Sequence, residues 1–314
     1  MNPKLVLLTG ASGFIGSAFL RLTMANGLRV RVLTRKFDGW PSYPNLQVVK
    51  GDFSRETDWS QLLDGVEVVV HAAAEIKNPA IMPVVNVLGP ERLLRAAAYA
   101  GVKRWVQLSS VGSYGPVRNG LVTEDWLDNP ADPYELSKTR FDSILRKASQ
   151  DHGIEVCIVR PSNVYGPGMP NQAIRQMLRS IRSNLFAFIG PEGASANYVH
   201  VQDVVQALHL CVSRKRAANQ TYIVSAWGTI EEMTIGLAIG AGLNPPSRRI
   251  SLPVATLLAK AMGWWSDWPL TLSRVQAMSA RTRYSTEKIE KELGWKLTVP
   301  IKEGMREFAR DLPK

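Results

Sequence analysis

The 314-residue chain is short of cysteine, of long apolar runs and of metal-binding patterns. Its two cysteines, Cys157 and Cys211, sit inside the apolar runs EVCIV and LHLCV, with no CxxC and no Cys/His spacing. That pattern argues against a disulfide framework and a structural metal site, and for a reducing compartment. No run suits a membrane. LVLL at the N-terminus gives way to glycines too soon for a signal-peptide core, and the stretch from Leu252 to Leu270 is broken by Lys260, Asp267 and two prolines. A cytoplasmic location without a membrane span is the expectation. Internal repeats and low-complexity tracts are missing too. Basic residues outnumber acidic ones 38 to 27, a net charge of +11, yet they are scattered and come without an RNA-binding or helix-turn-helix signature. The charge favours anionic partners such as phosphorylated small molecules or nucleic acid, but in this scattered form it reads first as a solvated surface, and no nucleic-acid partner is expected.

What is present reads as an α/β protein. KLVLLTG, LRVRVLTR, LQVVKGD, VEVVVHAAA, RWVQLSS and IEVCIVRP are β-branched runs separated by amphipathic stretches, which predicts a parallel sheet with helices on both faces. Past Arg160 the rhythm changes. NVYGPGMPNQ is rich in glycine and proline and precedes a helical stretch, a loop around GPEGASANYVHV, and helices to the end. The expected fold is a Rossmann-type doubly wound parallel sheet over residues 1–165. A smaller lobe that is mainly substrate-binding covers 166–314, with some segments returning to the first unit, over the edge where open α/β sheets bind ligands.

The first strand runs into TGASGFIG, with Gly10, Gly13 and Gly16 at three-residue steps before a helical segment. Such a turn lets backbone N–H groups and a helix N-terminus approach a pyrophosphate. Ser12, Phe14 and Ile15 belong to the same loop. The second strand ends in Thr34, Arg35 and Lys36 where an NAD site presents a carboxylate to the ribose, so NADP is favoured over NAD. Asp52, the alanines Ala72, Ala73 and Ala74, and Asn86 stand at further sheet-edge positions. His71 reads as structural.

In ADPYELSKTR, Asp132 is a good N-cap and Pro133 a good first helical residue, which leaves Tyr134 in the first turn and Lys138 one turn along. Ser137, Phe141, Ile144, Leu145 and Ala148 recur at helical spacing up to Gly153. A free phenol, with a pKa of about 10, is a poor base at neutral pH. A lysine at i+4 sets a cation on the same face, and with the helix dipole this predicts a depressed phenol.

TGASGFIG, HAAA, LSSVGSYG, PYELSK, RPSNVYGPG, YVHVQDVVQA and LGWKLTVPIKEGMREFA occur in this order along nearly the whole chain. Together they resemble the extended short-chain dehydrogenase/reductase family of NAD-dependent epimerases and dehydratases. The resemblance implies Ser110, Tyr134 and Lys138 as the catalytic set, with Ser109 and Ser113 as rival serines in the same loop. It implies that Tyr134 and Lys138 also meet the cofactor, that Pro161 and Asn163 pass the nicotinamide, and that Ser110, Asn163 and His200 border the substrate. His200 and Asp203 lack the GxSxG elbow a hydrolase triad would need.

A nucleotide sugar is the favoured substrate, acted on by a 4-ketoreductase or epimerase of surface-polysaccharide biosynthesis, and a homodimer is expected. Where nucleotide-sugar enzymes carry an Arg-Asp pair, this chain has Ala196 and Asn197, which leaves Arg175, Arg179, Arg182, Arg281 or Arg283 to supply the cation. A 3β-hydroxysteroid-dehydrogenase-like enzyme of an apolar alcohol is the alternative, suggested by Trp264, Trp265 and Trp268. A non-catalytic NADP-binding sensor is a third reading.

Overall fold

The computed structural model describes residues 4–36, 39–55, 57–169, 172–261 and 270–312. A seven-stranded sheet organises them: β1 (Leu5–Thr9), β2 (Arg29–Thr34), β3 (Leu46–Lys50), β4 (Val68–His71), β5 (Arg104–Leu108), β6 (Glu155–Pro161) and β7 (Gln220–Val224). All pairings are parallel, in the order β7-β6-β5-β4-β1-β2-β3. The chain builds outward from β1 through β2 to β3, then returns to add β4 on its other side. That reversal opens a crevice at the carboxyl ends of the central strands.

Six of the seven strands coincide with the runs read from the sequence. β7 does not. QTYIV looks like any short apolar stretch, and only its parallel pairing with β6 makes it the edge strand.

Residues on opposite faces of β1 feed different cores, as expected of a parallel strand buried on both sides. Val6 and Leu8 pack with Phe19 of α1 (Phe14–Ala25) and with Val204 and Leu208 of a later helix, Val201–Ser213. Leu5 and Leu7 pack with Leu93 and Leu94 of α2 (Gly89–Tyr99) and with Phe141 and Leu145 of α3 (Pro133–His152).

A third core, with Tyr165, Leu178, Met233, Leu237, Met305 and Phe308 among its members, is built from residues past β6. Its helices Ile230–Gly240 and Ile301–Arg310 cross closely: a Cβ on Gly236 or Gly240 would stand 2.3 or 2.1 Å from a carbonyl oxygen of the other helix. The stretch expected as a loop around GPEGASANYVHV differs from expectation. Ser195–His200 is a strand, parallel to Asn163–Tyr165 and antiparallel to Trp227–Thr229. Partners of three residues each are too short to carry a period, so this strand depends on pairing distant in sequence.

Candidate active site

The turn from β1 to α1 is built for close backbone approach. Gly10 has φ +74°, and a Cβ there would lie 2.5 Å from the Ala73 nitrogen, so the turn sits directly against the HAAA segment that follows β4. On Gly16 a Cβ would lie 2.1 Å from the Gly10 carbonyl oxygen. Gly13 donates its N–H to that same carbonyl at 2.9 Å and serves as N-cap of α1, where no side chain satisfies the first-turn N–H groups. Uncapped N–H groups at a helix N-terminus suit a pyrophosphate, and glycines leave room for it. The residues present therefore fit a dinucleotide.

Around this turn the sheet-edge residues are ordered along the crevice. Ser12, Arg35 and Lys36 line, with Ala11, Thr34 and Trp40, a cavity of about 640 Å³. Asp52 and Arg35 share a second, of about 520 Å³. Burial works against ionisation of Asp52, but the two Ser54 donors and the Arg35 charge outweigh it and hold the carboxyl below its usual range. His71 is structural: its Nδ1 lies 2.8 Å from Thr9 Oγ1, and its ring is enclosed by Phe53, Trp105 and Phe141. Asn86 sits in a π-helical turn, Pro83–Leu88. Its amide is fully used, accepting from the Glu75 N–H and donating to the Glu75 carbonyl and Ser137 Oγ. It ties the segment after Ala74 to the helix that carries Lys138.

That helix starts as its sequence requires. Asp132 caps the Glu135 N–H at 2.8 Å, Glu135 returns the bond to the Asp132 N–H, and Pro133 is the first residue. Gly153, φ +69°, closes it. The serine loop after β5 leans on the same first turn. A Cβ on Gly112 would stand 2.8 Å from Glu135, and the Asn129 N–H donates to the Ser113 carbonyl at 2.8 Å. Of the three serines, Ser109 donates its hydroxyl to Asp142 at 2.7 Å and Ser113 is fully buried. Ser110 is half-buried and accepts from the Gly112 N–H at 3.0 Å, so its own proton stays available to a ligand.

The electrostatics depart from the sequence expectation. Burial pushes the Tyr134 phenol up to about 12, and Asp142, Asp132 and Glu135 push the same way. Burial also pulls the Lys138 ammonium down to about 8, against a raising field from Asp142. In the chain alone the loss of water and then the carboxylates Asp142, Asp132 and Glu135 raise the phenol, where spacing predicted a depressed one.

Sequence reading missed the residues behind this pair. Asp142 is fully buried and held by Ser109 and by Arg160, which also grips Asp128 at 2.6 Å and lies over the Tyr114 ring at 4.6 Å. The available signal was an aspartate four residues past Lys138 on the apolar stripe of α3, next to Phe141.

Over residues 6–225 the chain matches the model of the NAD dependent epimerase/dehydratase family. The chain belongs to that family. A UDP-glucose 4-epimerase of Vibrio cholerae is 28% identical over 98% of this chain and 95% of that protein. A 3beta-hydroxysteroid-dehydrogenase/decarboxylase of Arabidopsis thaliana, isoform 1, is 28% identical over 83% of this chain but 65% of its own length. Among solved structures, MoeE5 in complex with UDP-glucuronic acid and NAD superposes with a TM-score of 0.74 at 25% identity, covering 96% of both chains. The protein is thus an NAD(P)-dependent enzyme of the extended short-chain dehydrogenase/reductase type.

Further along the chain of this family member, several candidate residues are engaged by the protein itself. His200 caps the helix that follows it through Nδ1, 3.4 Å from the Gln202 nitrogen, and packs edge-on to Tyr165. Asp203 accepts from Thr298 and Val299 and fastens the C-terminal segment. Ala196 is buried. Pro161 is buried at the end of β6, while Asn163 is exposed and bonds the Asn197 carbonyl at 3.3 Å. Arg281 is taken up by the carbonyls of Pro191, Glu192 and Gly193. Arg175, Arg179 and Arg182 line a cleft of about 250 Å³ with Leu312. Arg283 stacks 3.7 Å over the Trp227 ring, with no carboxylate partner among the described residues. Trp264, Trp265 and Trp268 lie outside the described residues. No helix among those described is long and apolar enough to cross a membrane.

Proposed function

We propose that this enzyme moves a hydride at a secondary alcohol or ketone carbon of a nucleotide-linked sugar, as a 4-ketoreductase or epimerase, and prefers NADP. The observation that carries the sugar reading is coverage. The Vibrio cholerae epimerase matches nearly end to end, whereas the steroid enzyme's match stops at about two thirds of its length. A nicotinamide dinucleotide supplies the hydride acceptor or donor when bound. This chain's part is to hold and move the proton. Tyr134 exchanges it with the substrate hydroxyl, Ser110 donates to the same oxygen and orients it, and Lys138 sets a positive charge beside the phenol. The glycine turn and the α1 N-terminus bind the pyrophosphate.

The apolar-alcohol reading keeps one observation in its favour: on the helix Leu252–Ala261, Leu252, Val254, Leu257 and Leu258 are exposed. A panel of UDP-glucose, UDP-glucuronic acid, dTDP-glucose and a 3β-hydroxysteroid tests the choice. Turnover is expected with a sugar nucleotide, and turnover of the steroid alone would overturn the proposal.

The NADP preference rests on Arg35 and Lys36, both exposed at the end of β2 beside Ser12. Replacing both by serine is expected to weaken NADPH roughly tenfold while leaving NADH unchanged, the loss of one charge-assisted phosphate contact. The nucleotide released from denatured protein checks this independently, because tightly retained NAD would reject the NADP assignment and favour epimerisation.

Turnover is also expected to fall above about pH 8, as Lys138 loses its proton. The check is kcat/KM across pH 6–10, and a flat profile through pH 9 would remove Lys138 ionisation from the mechanism.

A further inference from the structure

Behind the Tyr134 hydroxyl lies a group of charges almost sealed from water. Lys138 is 3% exposed, Arg160 1% and Asp142 0%. Asp128 completes it with a side chain 25% exposed. Two carboxylates face one buried guanidinium, with Arg146, its side chain 43% exposed, 3.8 Å from Asp128 at the edge of the group. Ser109 and Arg160 both reach the same Asp142 oxygen, at 2.7 and 3.0 Å, while the other oxygen, Oδ1, is buried without any hydrogen-bond partner. Asp142 sits one helical turn beyond Lys138 on the same face. Its charge raises the pKa of the buried lysine.

We propose that Asp142 is a positioning residue for the reaction: its carboxylate, locked by Ser109 and Arg160, keeps Lys138 in the charged state against which Tyr134 works.

Among the described residues, Asp142 is the charge that raises the Lys138 pKa. His71, facing it from β4, is held neutral, its pKa driven far down by burial and by Lys138 itself. Tyr134 is neutral near pH 7, and Ser137 and Asn86 carry no charge. Around Asp142 stand Ser109 from β5 and Arg160 from β6, with the neutral Tyr114 ring under the guanidinium. Desolvation drives Lys138 down, and Asp142 is what opposes it. The same carboxylate raises the Tyr134 phenol, so its removal lowers both groups and shifts the working range to lower pH.

The proposal rests on the Tyr134–Lys138 reading of the site, but its first test does not need turnover. Protein labelled with ¹³C at the lysine ε-carbon is titrated by NMR, and Lys138 is assigned by its absence in Lys138→Arg. Relative to the parent, the Lys138 midpoint is expected to fall by about one unit in Asp142→Asn. It should return close to the parent in Asp142→Glu and stay put in Asp128→Asn, since it is the Asp142 charge that acts on Lys138. Asp142→Asn leaves Arg160 with Asp128 as its one remaining carboxylate partner; the double variant Asp142→Asn/Arg160→Gln, which takes away the guanidinium as well, is titrated beside it and should also show a fall.

The alkaline limb of kcat/KM, measured with the sugar nucleotide that turns over, should move with the NMR midpoint. A midpoint that stays put in both the Asn and the double variant overturns the proposal. So does a fall in Asp142→Glu as large as in Asp142→Asn, or a shifted midpoint with an unshifted limb. Should the midpoint shift while Tyr134→Phe keeps full turnover, the charge assignment stands and the reading of the site falls.

Discussion

Replacing Tyr134 by phenylalanine is expected to lower turnover by roughly 10²–10⁴-fold, the contribution of a positioned proton-transfer group, with dinucleotide affinity nearly unchanged. Burial and the carboxylates Asp142, Asp132 and Glu135 are what shift the Tyr134 phenol, with no hydrogen bond to it among the described residues. The substitution therefore breaks no bond to a described residue and keeps the half-buried ring. Helix α3 retains its Asp132–Glu135 capping box and its Phe141 and Leu145 contacts, so the melting temperature should stay near that of the parent. The measurements are kcat on the sugar nucleotide and titration with NADPH and NADH. Full turnover in the phenylalanine variant would remove Tyr134 from the chemistry. A loss confined to KM would make it a binding group only.

Alanine at Gly16 is expected to weaken dinucleotide binding by about ten- to a hundredfold. The reason is backbone geometry: the new methyl would stand 2.1 Å from the Gly10 oxygen and 2.7 Å from the Gly10 carbonyl carbon. Neither is the end of a flexible side chain, so the turn itself must open. Overpacking of this kind costs about 1–3 kcal/mol, and the same distortion moves the Gly13 N–H and the α1 N-terminus away from the pyrophosphate. Gly27 offers the control. It has φ +71°, and a Cβ there would meet nothing within 4 Å, so alanine costs about 1 kcal/mol of backbone strain and leaves binding alone. Calorimetric titration of both variants with NADP and NAD separates the cases. Equal affinity for the dinucleotide in Gly16→Ala and the parent would mean that the turn is not the pyrophosphate cradle.

The parts of this protein that were legible in its sequence are those set by near neighbours. Asp132, Pro133 and Gly153 mark the ends of α3 through capping and φ preferences that need only adjacent backbone, and the structure starts and stops the helix there. Five of the six legible strands are buried on both faces and show as apolar-rich runs, while the sixth, the half-exposed edge strand β3, shows by its Val48–Val49 pair. The glycine steps of TGASGFIG announced a tight turn for the same local reason. β7 and Ser195–His200 were not legible, because each is a strand only by pairing with residues far along the chain.

Charge state was decided by burial more than by spacing. Spacing put Lys138 on the face of Tyr134, with Asp142 one turn further along the same helix, and predicted a depressed phenol, yet folding buried Lys138 and half-buried Tyr134, so desolvation and the nearby carboxylates raise the phenol instead. Folding likewise chose among three serines, committing Ser109 to Asp142, sealing Ser113 and leaving the proton of Ser110 available. Sequence alone determined which residues share a turn, a cap or a helix face, because covalent neighbours fix those. Which of them stay charged, and which keep a hydrogen bond to offer a substrate, depended on burial and on partners that only the folded sheet brings within reach.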